Sequence, residues 1–248
     1  MAALRLMVLA AGLIGLWQLL VLATQVPPYI LPGPLPVAQA LIDHGPLLLK
    51  HLKTTAFEII AGLLIGTLLG SSCALTMIIS PLLKRWMQPV LVISQAIPVF
   101  ALAPILVLWF GYGMASKIAM AVLIIFFPVA SSFYQGMRRT SPDLLELARI
   151  MGAGHLATLR YIIIPSALPA FGSGLRVAAA VAPIGAIVGE WVGSSSGLGF
   201  YMLHANARMQ VDVMFAALAV LSVTALLIYF SVDYLLDKTI YWEPSKGI

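Results

Sequence analysis

Glu190 is the ionisable side chain with the most demanding setting: it stands between Gly189 and Trp191 near the end of a long apolar run. An acid inside such a run is costly to bury and is read first as functional. It can contact a transported polar solute, or it can be a structural partner for Ser194 to Ser196 or for backbone N–H groups of the loop that follows. Arg176 lies about two turns into the same run from its other end, where its stem can lie along apolar surface while the guanidinium snorkels to the boundary. These two, far apart on one helix, are the ionisable groups read as lying within the spans. Gln95, Ser131 and Ser132 are polar groups beside proline-broken helices. They can line a pathway, or bond one helix to another. Enzyme chemistry finds little support. No G-x-x-x-x-G-K-[ST] occurs, and no Gly-Lys dipeptide, so the chain lacks the usual cradle for ATP and any ATP dependence must come from a partner. H-E-x-x-H is absent, His44, His51, His155 and His204 fall outside the apolar runs, and the single Cys73 excludes an internal disulfide or a cysteine metal site. No catalytic residue, metal ligand or bound cofactor is assigned.

The elements that must position these residues are membrane spans. The chain is 61% hydrophobic and 9% charged with mean hydropathy +1.03, against roughly a quarter charged in soluble domains. Its net charge of +5 reads as inside-facing Lys and Arg, not as nucleic-acid binding. The fold class expected is an all-α polytopic membrane protein, a single domain over 1–248 with about six spans at 6–23, 54–79, 89–110, 117–134, 170–192 and 213–236. The first is read as a retained helix in preference to a cleaved signal. Pro27, Pro28, Pro32, Pro34 and Pro36 make a stiff connector after it, and 37–52 reads as a short amphipathic surface helix. Gly62, Gly66 and Gly70 line one face of the second span and Gly185, Gly189 and Gly193 one face of the fifth, so other helices can approach closely there. Pro98 and Pro104 imply a kinked or broken third span, and 194–211, too polar and short to cross, reads as a surface or re-entrant loop.

Between the fourth and fifth spans lies an amphipathic loop, 137–168. Ser141 can N-cap a helix starting at Pro142, with Asp143 and Glu146 in its first turn. Gly152 or Gly154 can end that helix in a left-handed cap, and a second short helix from His155 is halted by Pro165. With the N-terminus inside, Arg5, Lys84, Arg85, Arg138, Arg139, Arg149, Arg160, Lys238 and Lys246 are cytoplasmic, while Lys50, Lys53, Lys117 and Arg208 are outside. Nine bases against four favour that orientation.

Within this loop Glu146, Ala148, Gly152, Ile162 and Pro165 resemble the "EAA" motif of ABC-importer permeases, with Leu147 where the pattern usually has a second alanine. LWFGYGMASK (108–117) and GEWVGSSSGLG (189–199) are similar to permeases of the nitrate/sulfonate/taurine type. SQAIPVFALAP and APIGAIVGEW look most like those linked to a pyrimidine precursor of thiamine. The resemblance implies a type I importer permease fold in a bacterial inner membrane and a loop that couples to a cytoplasmic ATPase. It implies a homodimer, two ATPase copies carrying ATP and Mg, and an extracytoplasmic binding protein that delivers a small polar solute. That solute is then a hydroxymethylpyrimidine-type thiamine precursor, or else sulfonate-, taurine- or nitrate-like. The rival class is an ATP-independent secondary transporter or channel, which needs an ion-coupling constellation within the spans.

Overall fold

The computed structural model describes residues 2–242, which form helices and short connections with no strand among them. Helix α1 (Ala2–Thr24) precedes the proline-rich connector, and α2 (Pro34–Asp43) starts on a proline and stops at His44. Helix α3 (Gly45–Ile79) restarts at once, with Pro46 in the first turn, where a missing N–H is harmless. The surface helix expected over 37–52 is therefore two helices, and 45–53 belongs to the second span. Lys50, His51 and Lys53 lower the hydropathy of that stretch without ending the helix.

Helices α4 (Pro81–Ala96) and α5 (Val99–Phe110) meet at 105°, so of the kink or break expected in 89–110 it is the break that occurs. Pro98 is responsible: it disfavours a helical Ile97, whose backbone is extended at φ −82°, ψ 123°. Pro104 stays inside α5, and Pro128 inside α6 (Met114–Arg138). There follow α7 (Pro142–Ile150), α8 (His155–Thr158), one π-helical turn (Leu159–Ile163) and α9 (Ile164–Gly193). Pro165 does not halt the second loop helix. The Ile164 N–H reaches back to the Leu159 carbonyl, five residues away, and this wider turn carries the chain into α9 with Pro165 in its first turn. Helices α10 (Leu198–Ala207) and α11 (Val211–Thr239) complete the chain. Among the described residues α3, α6, the continuous 155–193 helix and α11 are long and apolar enough to cross a membrane, and the bent α4–α5 pair makes a fifth span if counted as one. The apolar part of α1 given by the described side chains, Ala11–Thr24, is shorter; Trp17 on it stacks on Phe215 of α11 with ring centroids 5.9 Å apart. Lys246, one of the bases counted inside, lies outside the described residues.

The core is built on α6, packed between α3 and α9. Both glycine rows face it except at Gly193, which meets Val107 of α5 and Tyr112. A methyl group on Gly62 would stand 2.5 Å from the Ala121 Cβ, and one on Gly185 would stand 2.7 Å from the Ala121 Cα. Gly66 meets Ile125, Gly70 meets Val129, and Gly189 meets the Lys117 backbone. The outer surfaces of the same helices carry exposed Phe57, Leu64, Leu68 and Val177, as a lipid-facing surface should. Arg176 does not simply snorkel: its Nε and Nη2 each stand 2.5 Å from a carboxylate oxygen, on Asp233 and Asp237 respectively, pinning α9 to α11.

Candidate functional site

The loop between α6 and α9 is built locally. Ser141 precedes Pro142 but makes no side-chain cap; its carbonyl accepts the Leu145 N–H at 3.3 Å. At the other end the chain turns at Gly152, whose φ is +73°. The Gly152 N–H donates to the Arg149 carbonyl at 3.0 Å and the Ala153 N–H to the Ala148 carbonyl at 2.9 Å. This is a Schellman cap, which spares two helix-end carbonyls and requires a left-handed residue between them. Gly154, the other glycine considered for the cap, is extended at φ −70°, ψ 166° and begins α8. Ala148 is buried, Glu146 and Gly152 are exposed, and Ile162 and Pro165 are half-buried in the turn leading into α9. Around them Leu147, Ile150, Met151 and Leu156 stand 51%, 84%, 76% and 79% exposed. Four large apolar side chains beside Asp143, Glu146, Arg149 and Arg160 form a knuckle of the kind that a protein partner covers.

The four candidate pathway residues do not converge. Gln95 is exposed on α4. Ser131 lines a cavity of about 480 Å³ between α4 and α6 and accepts a hydrogen bond from Gln135 Nε2 at 2.9 Å. Ser132 sits on the packed side of α6, where a methyl added to Gly174 would come within 2.5 Å of its Cβ. Glu190 lies at the far end of the bundle, roughly 39 Å from the start of α9 at 1.5 Å per residue.

There Glu190 is 1% exposed and is held on both oxygens: Oε1 accepts from the Thr55 hydroxyl at 2.6 Å and Oε2 from the Gly199 N–H. Thr55 Oγ1 in turn accepts the Leu198 N–H at 2.8 Å, and His51 Nδ1 accepts the Gly197 N–H at 3.1 Å. Gly197 has φ +113°, and a Cβ there would overlap the Glu190 carboxyl. Ser194 and Ser196 bond each other, not Glu190. Beside this group Lys117 Nζ stands 3.1 Å from Glu58 Oε1, with both residues buried, and the Glu58 and Glu190 carboxyls face one another. The geometry makes Glu190 a clasp that fixes the 194–199 turn and α10 against α3.

Sequence reasoning placed two ionisable groups in the spans and missed Glu58 and Lys117. Lys117, which counts by sequence among the outward-facing bases, is buried in an ion pair and drops out of that comparison. The missed signal was periodic. His51, Thr55 and Glu58 continue upward the stripe of Gly62, Gly66 and Gly70, so the glycine seam on α3 ends in a polar cap on the same face.

Residues 62–240 match the family model described as a binding-protein-dependent transport system inner membrane component. A probable ABC transporter permease protein of Haemophilus influenzae is 54% identical over 92% of this chain and 94% of its own length. The formylaminopyrimidine transport permease protein ThiX of Halalkalibacterium halodurans is 38% identical over 88% of each chain. Among solved structures, an inward-facing form of the MetNI methionine ABC transporter superposes with TM-score 0.69 over 80% of this chain and 98% of its own, at 19% identity. At that identity it shows the fold alone.

Proposed function

From the premise that this chain belongs to the binding-protein-dependent transport system inner membrane components, we propose that its 142–165 loop is the surface on which a cytoplasmic ATPase acts. The chain is a permease subunit of an ABC importer, a transport subunit and not an enzyme, and it works with an ATPase and a solute-binding protein. One observation carries the loop assignment: the apolar knuckle of Leu147, Ile150, Met151 and Leu156 stands exposed on a polar loop, braced by the Gly152 cap. Glu146, Ala148, Gly152, Ile162 and Pro165 shape that knuckle. ATP and Mg then reside on the ATPase.

The finer reading is a homodimer of this subunit with two ATPase copies, carrying a hydroxymethylpyrimidine-type solute. The likeness to a permease named for formylaminopyrimidine transport supports that solute class. One experiment tests both levels. The tagged chain, purified from its own cells, is expected to bring down an ATPase with a phosphate-binding loop, while the chain alone binds no nucleotide. Reconstituted together with a binding protein, the complex is expected to take up labelled hydroxymethylpyrimidine on ATP addition, without competition from taurine. Nucleotide binding by the chain alone would sink the reading; competition by taurine would move the solute to the sulfonate class.

The loop is assigned to the cytoplasmic face together with the N-terminus. With Lys117 buried in its ion pair, eight bases among the described residues, Arg5 through Lys238, remain on that side against Lys50, Lys53 and Arg208 on the other. Single cysteines at Ala153 and at Asn206, in a background lacking Cys73, are expected to react with an impermeant thiol reagent from opposite sides. One span, the 155–193 helix, separates them. Labelling of both from one side removes the orientation and the coupling assignment with it.

A further inference from the structure

A cavity of about 480 Å³ opens between α4 and α6 at the end of the bundle that carries the loop, and a shallower one of about 470 Å³ adjoins it along α4, sharing Gln88 and Val92. Arg85, Arg138 and Arg139 line them, with Gln135 and Ser131, and no Asp or Glu among the described residues does. Lys84 Nζ and the Arg138 guanidinium each lie 5.9 Å from the Tyr134 ring centroid, which holds Arg138 at the wall and adds the positive charge of Lys84. A concave site with this excess of cations fits an anion. Its other half is apolar, formed by Leu91, Val92 and Phe127. It runs out onto the outer face of α4, where Trp86, Val92 and Ile93 are 68%, 61% and 54% exposed. Trp86 beside Lys84 and Arg85 is the residue pair expected at a membrane–water boundary.

We propose that these cavities bind one anionic phospholipid of the leaflet on the loop side, with its headgroup phosphate against Arg85, Arg138 and Arg139 and its acyl chains along Val92, Ile93 and Trp86. A soluble anion would use the cations but leave the apolar half and its continuation on α4 without purpose. A zwitterionic lipid would use the apolar half and leave the arginines uncompensated. Basic pockets at helix ends that meet such a boundary recognise anionic headgroups by these two features together.

The test uses the full chain purified with its ATPase, delipidated in mild detergent and titrated with phosphatidylglycerol while bound lipid is counted by native mass spectrometry. About one tightly held lipid per permease copy is expected, with binding about fivefold weaker for each of Arg85→Gln, Arg138→Gln and Arg139→Gln. Arg138→Lys/Arg139→Lys is expected to keep most of the binding, and Arg208→Gln, an exposed base on the opposite side of the membrane, all of it. Thermal unfolding of each variant separates lost binding from lost folding, since all three arginines are exposed at the cavity mouth. Unchanged phosphatidylglycerol binding in a folded Arg138→Gln/Arg139→Gln variant overturns the proposal, as does phosphatidylethanolamine binding equally well. Displacement of the lipid by glycerol phosphate at equal concentration also overturns it, and reassigns the site to a soluble anion.

Discussion

Gly152→Val is expected to reach the membrane at the parent level and to lose about tenfold or more of its ATP-driven uptake. The cause is confined to the backbone. A Cβ at residue 152 meets nothing within 4 Å, so no packing contact is lost or crowded, but φ is +73°. A left-handed L-residue costs about 1–2 kcal/mol, and a β-branched one more, and about 1.4 kcal/mol is a factor of ten in population. The loop then leaves the Schellman cap, Ala148 and Arg149 lose the donors on their carbonyls, and the knuckle of Ile150 and Met151 no longer sits as the ATPase requires. Gly154→Val is the matched control. Residue 154 is extended and open, so it is expected to stay near full activity. Gly152→Asn, which tolerates the left-handed region, should recover part of the loss. Membrane level, ATPase retained on pull-down and uptake of all three variants are scored together. Full uptake with normal ATPase retention in Gly152→Val would make the loop a bystander.

The second large effect is on stability. Lys117→Met leaves the Glu58 carboxylate without its cation in a site where Glu58 is 0% exposed and faces a second carboxyl. Removing one partner of a buried pair costs about 3–5 kcal/mol, enough to deplete the folded protein in the membrane. Glu58→Leu in the same chain is expected to restore most of the level, because an apolar pair of similar volume replaces the ion pair without leaving a charge stranded. Membrane abundance and melting in detergent of the single and double variants decide the matter. A double variant no better than Lys117→Met alone would show that the pair is needed as a pair and not merely kept neutral.

What the sequence makes legible here is whatever depends on neighbours along the chain. The Gly152 cap follows from a short amphipathic helix ending at a glycine, and the two close-approach faces follow from glycines every four residues. Span boundaries read from apolar content lose the first turns of α3, where Lys50 and Lys53 are helical but polar. Pro165 reads as a stop because the rule for proline assumes an α-helical ladder, and a π-helical turn evades it. The Glu58–Lys117 pair joins positions 59 residues apart across two helices, so it depends on the vertical register of α3 against α6, which no local pattern encodes. Glu190 was visible as an anomaly, but its donors, Thr55 and the Gly199 backbone, come from two other segments.

The seams on either side of α6 also bear on motion. Interlocked large side chains give helices a few discrete resting places, each reached only by re-setting several torsions together. Where Gly62, Gly185 and Gly189 oppose Ala121 and the backbone of Lys117, there are almost no torsions to reset. The contact resembles two plain bearing surfaces more than meshed gears. Helices that meet this way can slip by fractions of an ångström with little friction, in the manner of shear between packed helices. A transport subunit has to be rearranged in every cycle, and its tightest contacts are also its smoothest.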